Sequence, residues 1–253
     1  VQHPTFYLPL GDLIVQSAAD AEGTSTLFRV SKSLLAFNSP VFADMFALPT
    51  TSTQDLYDGA PLVQVTDTAE ELAALFSALY DPSSLCLPRF DPDIPIRLAG
   101  VMRLASKYSI DTIRNRIVDI MNDNWPQTYE QWQIFQAEIS AIKAVHKENN
   151  GLVDGRSFEE RIPEPAAAIR FARDFNIPSI LPFAFYTLAG IPQSMDWDES
   201  RKVKDFRHHS TVIWMKRTAK WAQLDIVDYR TFVKCREALK NDVVEIMVHF
   251  GRK

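Results

Sequence analysis

Leu27-Phe28-Arg29-Val30-Ser31-Lys32-Ser33-Leu34-Leu35-Ala36-Phe37-Asn38-Ser39-Pro40-Val41-Phe42-Ala43-Asp44-Met45-Phe46 is the stretch that decides the fold. Leu27 to Val30 reads as a short strand that runs directly into a helix over Lys32–Phe37. Ser39-Pro40 then supplies an N-cap and a first helical residue for a second helix, because serine accepts from free amides and proline lacks one. In that second helix Val41, Phe42, Met45 and Phe46 share one apolar face. None of these side chains suggests catalysis, so the segment points toward packing and docking.

Working outward, Leu13-Ile14-Val15 follows a Gly11-Asp12 turn and predicts a strand that pairs with 27–30 as a hairpin. Leu62-Val63-Gln64-Val65 is a third short strand, after a polar, Thr-rich loop over 47–61. Thr66 or Asp67 caps a helix over 68–80 with a stripe of Leu72, Leu75, Phe76 and Leu79. Residues 81–95, with four X-Pro pairs, read as a loop. Helices follow at about 96–108 and 111–123. From Trp125 onward only helices and loops are expected, with helices at 128–147, 164–175, 178–190, 207–223 and 228–249. All five tryptophans lie in this second part. One internal echo stands out: Arg103 to Ile113 and Arg170 to Ile180 repeat Arg, Ala, an aromatic and two Ile at the same spacing, which predicts two similar helical hairpins.

At 253 residues the chain can hold one large or two modest domains, and 46% apolar content is enough for a core. The net charge of −5 is uneven. Residues 1–200 carry 14 basic against 26 acidic side chains, a net of −12, whereas 201–253 carry 13 against 6, a net of +7. A basic end on an acidic body fits either a nucleic-acid face or attraction of the two ends for each other or for a partner. The tail lacks the aromatic and glycine interleaving of RNA binders, so nucleic acid is the weaker expectation. Two cysteines, Cys86 and Cys235, cannot form a disulfide framework, which points to a reducing compartment, cytoplasm or nucleus. No apolar run approaches the roughly 18 residues of a membrane span. A start at Val1 without Met points to a fragment of a longer protein.

The order strand, strand, helix, helix, strand, helix, loop, helix, helix over 6–123 resembles the BTB/POZ domain. Gly11-Asp12-Leu13-Ile14-Val15 looks like that family's first strand with its acidic entry. Phe28 to Ala36 looks like its second strand and first helix, and Ser39-Pro40-Val41-Phe42 with Asp44-Met45-Phe46 like its second helix. Tyr80 stands as the aromatic that ends the third helix, and Leu104-Ala105-Ser106-Lys107-Tyr108 looks like the fourth helix end. The chain departs at Ser31, where many members have His, and in its proline-rich insert. Pro178 to Tyr186 resembles the helical extension of large fungal BTB proteins, which implies a fungal source. The expectation is therefore an α+β fold: a BTB/POZ-like domain at 6–123 with a small three-stranded sheet, then an all-α, BACK-like extension at 124–253.

No enzyme is expected. Adjacent His208-His209 would point about 100° apart on a helix and cannot jointly chelate. No glycine-rich phosphate loop, nucleophile elbow or Cys–His spacing is present, so no catalytic, metal or cofactor site is expected. What the resemblance implies is protein–protein interaction. Leu56-Tyr57-Asp58 is similar to the triplet with which BTB adaptors of ubiquitin ligases enter a cullin cleft, and Met45, Phe46 and Leu48 would complete that contact; a generic loop with one anchoring Leu is the alternative. Asp12 and Lys32 match residues that line a charged groove between the family's dimer subunits, or else cap a turn and open a helix. Trp214 and Trp221, seven apart, make either a partner-binding stripe on the extension or a face packed on helix 228–249. The implied partners are a cullin, an unidentified substrate and a second copy of the chain; the alternative is a structural or regulatory oligomerisation scaffold without a ligase role.

Overall fold

The computed structural model describes residues 1–48, 55–202 and 217–250. The chain divides into two compact units, Val1–Leu87 with Leu98–Val118, and Pro88–Arg97 with Asp119–Lys253. Two of its three cuts, 97/98 and 118/119, fall within helices, and the third, 87/88, falls in a loop.

The first unit is a mixed five-stranded sheet with helices. Its strands are β1 (Gln2–Tyr7), β2 (Leu13–Gln16), β3 (Leu27–Val30), β4 (Leu56–Tyr57) and β5 (Ala60–Gln64), in the order β1-β3-β2-β5-β4. β3 pairs antiparallel with β2 and parallel with β1, while β5 runs parallel to β2 and antiparallel to β4. The expected hairpin of β2 and β3 is present in register Leu13↔Val30 to Gln16↔Leu27. The expected three strands are a correction: β1 and β4 add two edges. Pro4 in β1 hid the first, since proline cannot donate to a ladder and is confined to edges. At two residues, β4 is too short to show alternation. Leu13, Ile14 and Val15 are all buried, as a central strand covered on both faces requires.

The helices α1 (Lys32–Asn38), α2 (Pro40–Ala47) and α3 (Ala69–Tyr80) match the expected helices, except that Thr68, not Thr66 or Asp67, caps α3. Ser31, Ser39 and Thr68 each accept from the amide three residues on, at Leu34, Phe42 and Glu71. Ser39 also donates from its hydroxyl to the Tyr108 carbonyl at 2.6 Å while fully buried. Leu72, Leu75 and Phe76 bury completely, and Phe76 meets Phe28 edge-on at 5.2 Å. α4 (Ile94–Lys107) and α5 (Asp111–Asn124) contribute Met102, Leu104, Ala105 and Ile117 to buried positions.

The second unit is mainly helical: α6 (Tyr129–Glu148), α7 (Pro165–Asp174), α8 (Leu181–Ala189), α9 (Trp197–Lys202) and α10 (Ile226–Phe250). Three expectations need correction, the first being that α9 forms between the expected helices at 178–190 and 207–223, where only loop was expected. The stretch 148–163 is not all loop but contains an antiparallel hairpin, β6 (Leu152–Val153) and β7 (Arg156–Ser157), so the extension is not all-α. The expected helix at 207–223 lies outside the described residues up to 216; beyond that, Arg217–Lys220 is not helical and Trp221–Gln223 is a single 3-10 turn.

The echo noted in the sequence is a shared helix ending. α4 and α7 each continue into a left-handed residue, Ser109 at φ 50° and Asn176 at φ 55°. The next isoleucine then closes back: Ile110 N–H to Ala105 O at 2.8 Å, and Ile177 N–H to Ala172 O at 2.9 Å. This six-to-one bond is the Schellman cap, and both isoleucines are buried beneath it.

Candidate functional site

The residues expected to meet a cullin lie in the first unit, where the structure gives them unequal roles. On α2, Val41, Met45 and Leu48 follow i, i+4, i+7 spacing and so share a helix face. Val41 is 41% exposed, Met45 half-buried and Leu48 67% exposed. Phe46 is committed elsewhere: it stacks on buried Phe42 at 5.9 Å, and Phe42 stacks on Tyr108 at 4.4 Å.

Leu56-Tyr57-Asp58 is not a loop but β4 and the first residue of a tight hairpin. Asp58 at φ 50° and Gly59 at φ 76° both occupy left-handed space, as a two-residue type I′ hairpin requires. This turn leaves Leu56 68% and Tyr57 41% exposed. Asp58 is not a free rim charge. Its Oδ2 accepts from Arg29 Nη1 and from the Tyr7 hydroxyl, both at 3.0 Å. Burial, followed by that bond to Asp58, pushes the Tyr7 phenol pKa up. Arg29 is fixed in turn, its Nε donating to the Gly11 carbonyl at 2.8 Å. Gly11 must be glycine there, because an added Cβ would sit 2.8 Å from Arg29 backbone and side chain.

Asp12 and Lys32 do come together, but not as an ion pair. The Lys32 backbone N–H donates to Asp12 Oδ1 at 2.6 Å, so the carboxylate serves the first amide of α1. The Lys32 ammonium lies instead 4.9 Å from the Phe46 ring centroid. Ser31, the departure from the expected pattern, receives the Tyr80 hydroxyl on its amide nitrogen side: Ser31 N–H donates to Tyr80 Oη at 2.8 Å.

In the second unit, Trp214 lies outside the described residues, while Trp221 is buried. Its indole N–H donates to the Met195 carbonyl at 2.9 Å, and its ring meets Phe232 at 5.2 Å and Tyr229 at 6.1 Å. Trp221 thus packs on α10 and offers no exposed stripe.

A buried polar network went unread in the sequence. Glu159 is 5% and Glu164 3% exposed. Glu159 accepts from the Thr218 hydroxyl at 2.6 Å and pairs with Arg201 at 3.1 Å. Glu164 caps α7 by accepting from Ala166 and Ala167, and also accepts from the Lys220 backbone. Arg217 donates to the Pro163 carbonyl, and Lys220 pairs with Asp93. Arg201 and Lys220 both lie over the Trp197 ring, at 3.3 and 4.8 Å. Burial lowers the Arg217 pKa to about 10, against the opposing pull of Glu164 and Glu159. Burial likewise raises the Glu164 pKa, although its amide donors oppose the shift.

No protein-family model matches the chain, and no curated protein matches it. Chemistry must therefore be read from the residues. Among the described residues no group of three or more His, Cys, Asp or Glu could hold a metal ion. Among them, too, no helix is long and apolar enough to cross a membrane. A cleft of about 240 Å³ in the second unit is floored by Trp125 and Phe135, with Ile134, Pro126, Gln131 and Arg89 around it. Its volume falls below that of usual small-molecule sites. Of the basic residues in 201–253, Arg201, Arg217 and Lys220 face carboxylates of the same unit.

Proposed function

We propose that the chain is a non-catalytic protein-interaction module, a BTB-like adaptor that carries a substrate to a cullin-type ubiquitin ligase. The observation that carries this reading is the hairpin Leu56–Gln64: a rigid turn holds Leu56 and Tyr57 outward while Asp58 is pinned from behind by Arg29 and Tyr7. A large apolar side chain on a pre-organised turn enters a partner pocket without the ordering cost a loop would incur. Leu48, at the end of α2, is the second exposed apolar residue of the proposed contact. Met45 contributes its exposed edge, and Phe46 acts by holding α2 in place.

Self-association is the companion reading. β1 is a six-residue edge strand with one unpaired side, the kind of edge that recruits a second chain. Phe37, 88% exposed on α1, adds an apolar surface residue. Light scattering on the purified chain tests it: a dimer supports the reading and a strict monomer removes it. For the adaptor role, affinity purification of the full-length protein from its native cell should recover a cullin.

A further inference from the structure

Residues 217–221, Arg-Thr-Ala-Lys-Trp, lie in the second unit as a peptide lies in a receptor. The backbone is held on both sides. Thr218 N–H donates to Glu159 Oε2 at 3.1 Å and Lys220 N–H to Glu164 Oε1 at 3.0 Å. Between them Ala219 N–H donates to the Met195 carbonyl at 3.1 Å, while its own carbonyl accepts from Trp197 N–H at 2.9 Å. Ala219 and Asp196 thereby form a parallel bridge, one residue of strand addition. The side chains are read as well: Thr218 by Glu159, Arg217 by the Pro163 carbonyl beside Glu164, and Lys220 by Asp93 and the Trp197 face.

What holds 217–220 is almost wholly polar. Its one apolar side chain is Ala219, fully buried but small. Buried ion pairs give little net stability, because dehydration of both charges offsets their attraction. Another basic chain would make the same contacts, so the cis segment is favoured mainly by its high effective concentration, on the order of mM for a short tether. Trp221 has its own anchors, the Met195 carbonyl that it shares with Ala219 and the rings of Tyr229 and Phe232, so 217–220 can leave without withdrawing it.

We propose that this groove, walled by Glu159, Glu164 and Asp93 and backed by Trp197, is a recognition site for an extended basic peptide with two cations three residues apart, which residues 217–220 fill in cis. A partner bearing that pattern displaces the cis segment and adds to Asp196 as a strand. The proposal rests on the interaction-module reading only in making this unit the partner-capturing one. It takes no part in cullin binding, so either can fail alone.

The test is a peptide titration on the full chain. The probe is fluorescein-labelled Arg-Thr-Ala-Lys-Trp-Ala, followed by polarisation at about 50 mM salt. In a chain carrying Arg217→Ala and Lys220→Ala, the cis segment loses its cations, while Glu159 keeps Arg201 and Glu164 keeps its amide donors, so the acidic walls stay in place. That chain should bind the probe at least tenfold more tightly than wild type. A probe with Glu at both cationic positions should not bind, and adding Glu159→Gln should weaken binding at least tenfold. A folded double variant that ignores the probe, or binds both probes equally, overturns the proposal. If the double variant does not fold, hydrogen exchange of the wild-type chain decides. The amides of 218–220 should then exchange at least tenfold faster than that of Ile169 inside α7, and equal protection overturns the proposal.

Discussion

Ile110 donates its backbone N–H to the Ala105 carbonyl at 2.8 Å, and this bond closes α4 over a left-handed Ser109 at φ 50°. The same closure recurs at Ile177 and Ala172, across Asn176 at φ 55°. Left-handed backbone is unfavourable for most L-residues, least so for Gly and then Asn. Ser109→Gly should therefore stabilise the chain by about 0.5–1 kcal/mol, and Asn176→Gly by less, a few tenths. Chemical denaturation of the two variants checks the ranking.

Ser39 serves two elements at once, capping α2 through Phe42 and donating to the Tyr108 carbonyl. Ser39→Ala removes both bonds at a fully buried position and should cost about 1–3 kcal/mol. Thr in its place retains the hydroxyl and should recover part of the loss. A urea midpoint that does not move would contradict this role.

Tyr108 is buried with its hydroxyl on Asp67, and burial first, then Asp67, hold its pKa far above the usual phenol value near 10. The folded chain keeps this phenol neutral while the unfolded chain ionises it. Its contribution is therefore fully present below about pH 10 and is lost as pH rises through the folded value. Stability should fall from about pH 10 upward, and Tyr108→Phe should flatten that part of the fall. Denaturation midpoints measured from pH 8 to 11 give the slope.

Gly59 and Gly155 close two Asp-Gly hairpins at φ 76° and φ 71°. No atom crowds either position, so the cost of a side chain is backbone strain alone. Gly59→Ala and Gly155→Ala should each destabilise by about 1 kcal/mol. Gly59→Ala should also weaken partner binding through Leu56, whereas Gly155→Ala should leave it unchanged.

Local signals made much of the fold legible. Ser39-Pro40 and the stripe of Leu72, Leu75 and Phe76 each act within one or two turns, so sequence alone places them, whereas the cap of α3 was read one or two residues early. The two Asp-Gly turns are strong hairpin signals, but their flanks, Leu56-Tyr57 and Leu152-Val153, are too short to read as strands. The groove around 217–221 was beyond reach for another reason. Its bonds to Glu159, Pro163 and Glu164 join residues 54 to 59 apart, and Lys220 meets Asp93 across 127 positions. No spacing rule links such residues. Charge asymmetry was the only trace, and it showed attraction without showing where. The exposed Leu56 was legible as a candidate, but the pinning of Asp58 by Arg29 and Tyr7 depends on strand pairing and was not.

Affinity purification of the full-length protein from its native cell, wild type beside Leu56→Asp, tests the adaptor role most directly. Leu56 is 68% exposed at an edge strand, so the substitution should leave circular dichroism and thermal unfolding unchanged. The account predicts that a cullin is recovered with wild type and lost with Leu56→Asp. Equal recovery from both, or no cullin with wild type, would contradict it.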